Sequence, residues 1–97
     1  MRDPEILKEV KASLALLSER YPGKAIEVRI PPYAAVQCGD GPSHTRGTPP
    51  NVIEMDAKTW LQLVDGTLSW VEAYEDGLIL ASGVRADLSH LLPLKEE

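Results

Sequence analysis

Apolar residues recur at helical spacing through the first twenty positions: Ile6, Val10, Leu14 and Leu17. Glu5, Lys8, Glu9, Lys11, Ser18 and Glu19 supply the opposite, wet side. Asp3-Pro4-Glu5 is a helix start, with a cap, a proline at the first helical position and an acid in the first turn. Tyr21-Pro22-Gly23 is a stop, so one long helix is predicted to end near Arg20. The period then changes to two. Over Ala25–Ile30, Ile26, Val28 and Ile30 alternate with Glu27 and Arg29, the pattern of a strand with one buried face. Pro31-Pro32 cannot sit in a central ladder and marks a connection or an edge. Tyr33–Cys38 is a second strand, with Ala34, Val36 and Cys38 on one face. Gly39–Pro50 is a loop, and Asn51–Met55 is a third strand.

The remaining elements are short and punctuated by glycine. Asp56 caps a helix on which Trp60, Leu61 and Val64 fall on one side, with Leu63 beside them. Asp65-Gly66 ends it, because glycine takes the left-handed turn without a steric penalty. Ser69 to Glu72 has the spacing of a capping box, and Asp76-Gly77 closes that second short helix. Leu78-Ile79-Leu80 is an apolar run between glycines and suits a buried strand, continuing to Ser82. After Gly83 a last short helix is expected over Ala86–Leu92, with Pro93 preventing further turns. The chain thus predicts an α+β fold: an antiparallel sheet of about four strands packed by one long and three short helices.

The ordered set NVIEMD-AKTWLQLVDG-TLSWVEAYEDG-LILASG-VRADLSHLLPL, Asn51 onward, resembles the C-terminal half of the sterol carrier protein-2 family. The stretch VRIPPYAAVQCGDGPSHTRGTPPNVIEMD, Val28 to Asp56, is similar to a short actinobacterial-type branch of that family. The resemblance implies short helices on a bent antiparallel sheet, an apolar cavity between the layers, and binding or carriage of a lipid without catalysis.

Length sets a limit on such a cavity. At 97 residues the chain is one domain, 1–97, with a small aliphatic core, since it contains no Phe and only 5% aromatic residues. Groups lining an empty space lose dispersion contacts. A shallow groove, or a pocket completed by a second subunit in a homodimer, is therefore easier to sustain than a large cavity. The net charge of -5 argues against nucleic acid as a partner and against stable docking on an anionic membrane. No apolar run approaches the ~20 residues of a membrane helix, so no stable membrane insertion is expected. MRDPEILKEV has no apolar signal core, and the single cysteine, Cys38, fits a reducing compartment. A cytoplasmic location is the expectation.

No motif announces a reaction or a cofactor. There is no nucleophile elbow, phosphate loop or dinucleotide fingerprint. Cys38 and His44 could pair as thiolate and base, but Cys38 falls on the apolar face of a strand, where an inert thiol is the better reading. Cys38, His44 and His90 do not have metal-ligand spacing. Two sets of residues remain. In the loop, His44 and Arg46 could form a polar rim for an anionic head group or a partner's carboxylate; the plainer reading is a rigid crossover. Under the resemblance, Val36, Trp60, Leu63, Leu80, Leu88 and Leu91 line an apolar pocket for a lipid or other apolar small molecule. The same spacing serves a filled core equally well, and the alternative function is then a protein-interaction or regulatory module without ligand, or an accessory domain of an enzyme.

Overall fold

The computed structural model describes residues 3–41 and 51–94. Helix α1 (Pro4–Arg20) starts as its sequence dictates: Asp3 Oδ1 accepts from the amides of Glu5 and Ile6 at 2.9 and 3.3 Å. Strands β1 (Ile26–Ile30) and β2 (Ala34–Cys38) form an antiparallel hairpin, with Val28 opposite Val36. Strand β3 (Asn51–Glu54) leads into α2 (Ala57–Asp65) and α3 (Trp70–Glu75), and β4 (Leu80–Ser82) returns beside β3. The other two helix caps read from the sequence are also formed. Asp56 accepts from the Thr59 amide at 2.8 Å, and Ser69 and Glu72 make the reciprocal capping box.

The sheet order is β2-β1-β3-β4, and the β1–β3 pair is parallel. The sheet is therefore mixed, not antiparallel as expected. Alternation of apolar residues tells which face of a strand is buried but not which way its neighbour runs. Direction comes from the connection. Strand β3 lies on the far side of β1 from β2, and it runs along β1 and opposite in direction to β2.

The register divides the sheet into two faces. Ile26, Val28, Ile30, Cys38 and Ile53 are buried on one. They join Val10, Leu14 and Leu17 of α1 and Trp60, Leu63 and Val64 of α2 in a single core. The other face carries Glu27, Arg29, Ala35, Gln37, Glu54 and, on β4, Leu80. Two polar groups tie the layers together from inside. Ser13 Oγ, on α1, accepts from Trp60 Nε1–H at 2.8 Å and donates back to the carbonyl of Glu9. Asn51 donates through Nδ2 to the Ala25 carbonyl at 2.9 Å and accepts at Oδ1 from the Arg85 amide at 2.8 Å.

Two further expectations need correction. The apolar run Leu78–Leu80 does not form a buried strand: β4 begins only at Leu80, its side chains are exposed, and of the run only Ile79 turns inward. The final helix over Ala86–Leu92 is replaced by turns, leaving three helices among the described residues. Asp87 Oδ1 accepts from the Ser89 amide at 2.7 Å, a local bond that competes with helix. With Pro93 so near, the segment has no room to repay helix nucleation.

Candidate functional site

The main cavity lies where several chain segments converge, at one end of the sheet. Its volume is about 700 Å³. Strand β1 begins here, β2 ends here, β3 begins beside Ile26 and β4 finishes opposite Val52. Tyr21, Pro22 and Ile26 form an apolar wall with Leu91, whose amide closes a turn onto the Leu88 carbonyl. Arg20, Arg85 and His90 bring nitrogen donors to the same space, and Asp40 and Asp87 bring carboxylates.

Local chemistry places each of these groups. Arg20 is the last residue of α1, and its Nη1 donates to the Leu94 carbonyl at 2.6 Å. Leu94 is held in turn by its own amide, which donates to Val64 at the end of α2. The backbone of Arg85 hangs from Asn51, and its Nη1 reaches the Asp40 carbonyl at 3.4 Å. The floor is a close meeting of two backbone stretches. The Gly39 amide donates to Tyr21, and the Ala25 amide donates to Gly39. Gly23 lies so near the Gly39 carbonyl that a Cβ there would collide with it, and its φ of +144° already favours glycine.

The Asp87 carboxyl lies below its ordinary value. The side-chain hydrogen bond from Ser89 is the largest cause, then the Ser89 amide, with the nearby His90 adding attraction against the cost of burial. Neither Arg20 nor Arg85 forms an ion pair with a carboxylate among the described residues; the pair there is Arg29–Glu27, on the open sheet face. The Cys38 thiol is fully buried, and burial pushes it up to about 11. It is protonated at neutral pH and unsuited to nucleophilic attack. No group of three or more His, Cys, Asp and Glu among the described residues is arranged to hold a metal.

Of the six residues expected to line an apolar pocket, only Leu91 reaches this cavity. Trp60, Leu63 and Leu88 are core residues. Val36 is half-buried at the margin of the core, on the helix-facing side of β2. Leu80 does not join them: it pairs with Glu54 on the opposite face and is 67% exposed. A strand reverses face at every residue, and the register pairs Ala81, not Leu80, with the core residue Ile53, which leaves Leu80 on the open face. His44 and Arg46 lie outside the described residues. Sequence reasoning missed Arg20, Tyr21, Ile26 and Arg85 as a set, because they are far apart in the chain and meet only through the sheet order. The signal that could have found them is the glycine pair Gly23 and Gly39, which marks a close backbone approach.

No helix among the described residues is long and apolar enough to cross a membrane. No curated protein matches the chain. The family profile described as Bacterial SCP ortholog matches residues 3–94, nearly the whole length. The resemblance noted in the sequence, the α+β sheet with its helices on one face and this match agree, and the chain belongs to that sterol carrier protein-like family of bacterial SCP orthologs.

Proposed function

We propose that the protein binds and carries a lipid or other amphiphilic small molecule, without chemistry on it, in the cavity at the end of the sheet. The observation that carries this reading is the cavity itself. Its volume of about 700 Å³ lies in the range of small-molecule sites. Its wall is apolar at Tyr21, Pro22, Ile26 and Leu91, and its polar side is made by Arg20, Arg85 and His90 with the carboxylates of Asp40 and Asp87. That division suits a ligand with a tail and a head. Membership of the family supports the same reading. Cys38, buried and protonated, does not offer a nucleophile.

The site moves the binding space away from the interior. Trp60 is fully buried and bonded to Ser13, so its fluorescence is a poor reporter of ligand. The test is native mass spectrometry for a co-purified lipid, followed by titration of a long-chain fatty acid with amide resonances as the readout. Tyr21, Ile26 and Leu91 should shift. Leu91→Trp should obstruct the cavity and weaken the shifts of Tyr21 and Ile26. If no amphiphile moves these resonances, the carrier reading fails.

A further inference from the structure

Among the described residues, five large apolar side chains are substantially exposed, and all lie between positions 71 and 84. They are Val71, Tyr74, Leu78, Leu80 and Val84. Val71 and Tyr74 share a face of α3 at 59% and 56% exposure, while Val84 stands free in solvent at 102%. Single exposed apolar residues are ordinary, but their confinement to one short stretch is not. A groove of about 360 Å³ is lined by three of them, Val71, Tyr74 and Val84, together with Trp70, Ala81 and Gly83; Leu78 and Leu80 lie outside it. Beside it lies β4, an edge strand whose outer backbone groups have no neighbouring strand among the described residues.

The charged side chains that line the groove have one sign, while Arg85, next to it in sequence, turns its guanidinium to the Asp40 carbonyl. From Thr59 to Val84 the sequence contains no Lys, Arg or His, while Glu72, Glu75 and Asp76 are exposed on or next to α3. Glu75 and Asp87 border the groove itself. We infer that this surface docks a basic segment of a partner protein, extended along β4, with apolar side chains in the groove and Lys or Arg against the acidic rim. The charge selects this occupant over others. A second copy would set Glu72, Glu75 and Asp76 against acidic surface of a chain whose net charge is also -5. Anionic lipid is repelled for the same reason. Extended segments add to strand edges through main-chain bonds and are specified by alternate side chains, which suits an edge flanked by a groove.

Two synthetic peptides with the same alternating Val and Ile test this, one with Lys at the intervening positions and one with Glu. Each is titrated into the isotope-labelled full chain. The Lys peptide should shift amides of residues 70–76 and 80–86 and bind about tenfold or more tightly than its Glu twin, since like charges across an interface are strongly disfavoured. Its affinity should fall at high salt, as exposed charges are screened. Val84→Lys should weaken it about tenfold by the same repulsion. That variant keeps its melting temperature, because the side chain makes no core contact. Equal binding of both peptides, or shifts confined to other residues, overturns the inference. Concentration-dependent shifts of the patch without peptide would assign the surface to a second copy instead. Tighter binding to phosphatidylglycerol vesicles than to the Lys peptide would assign it to a membrane.

Discussion

The indole N–H of Trp60 is buried beneath α1, and Ser13 Oγ is the partner that makes this burial tolerable. An unpaired buried donor costs about 1–3 kcal/mol, so Ser13→Ala should destabilise by that amount, mainly through the stranded indole rather than the lost hydroxyl. Urea unfolding should show a lower midpoint with an unchanged slope. Trp60→Phe combined with Ser13→Ala should cost less than the two changes summed, because the double variant strands nothing. Cys38 makes a second residue-scale prediction. Its thiol is raised from 9.0 to about 11, so the folded state keeps its proton where the unfolded state loses it. The protein's stability from this group is intact below pH 9.0 and is lost as pH rises toward about 11. At pH 8 a thiol reagent should label Cys38 only as fast as the chain opens, and added denaturant should accelerate the labelling. Rapid stoichiometric labelling of the native protein would contradict the buried position.

At the scale of elements, the approach of the segment before β1 to the end of β2 is the tightest fit in the fold. Gly23→Ala combines a backbone collision with a disfavoured φ and should destabilise by more than about 1 kcal/mol. Gly77→Ala is the control: its φ of +74° carries the same kind of backbone penalty, but the space around it is open, so the smaller loss there isolates the cost of the collision. Thermal melts of both variants check this. Most element boundaries were legible because each has a local cause. Asp3, Asp56 and Ser69 cap their helices in the structure as their side chains predict, and β1 alternates as its letters do. What escaped was non-local. Whether β3 runs along or against β1 depends on where the preceding link travels, and no residue within either strand records that. Leu80 failed because a three-letter apolar run carries no information about which of its members faces a core supplied by other elements. The expected helix over Ala86–Leu92 failed through Asp87, whose side chain satisfies the Ser89 amide locally.

For the whole molecule, the helices and the inner sheet face close on one core, and the larger cavity is displaced to the end where the strands begin and finish. The candidate site was therefore poorly legible. Trp60, Leu63 and Leu88 have the composition of a pocket wall and the position of a core. Arg20 and Arg85 have no sequence pattern in common, yet they border one space because Asn51 and Leu94 hold their segments there. The two proposed sites share the Asp87 segment: a cavity suited to a small amphiphile and an acidic groove suited to a polypeptide.

The parallel seam between β1 and β3 also bears on how the protein is made. A ribosome releases α1, β1 and β2 well before Asn51, so the growing chain holds a finished hairpin whose β1 still lacks its second neighbour. During that interval β1, an inner strand of the mature sheet, is an edge, open to pairing with any other nascent chain. Glu27 and Arg29, set side by side on the outer face of β1 and bridged at 2.9 Å, put charge on that temporary edge until β3 arrives to cover it.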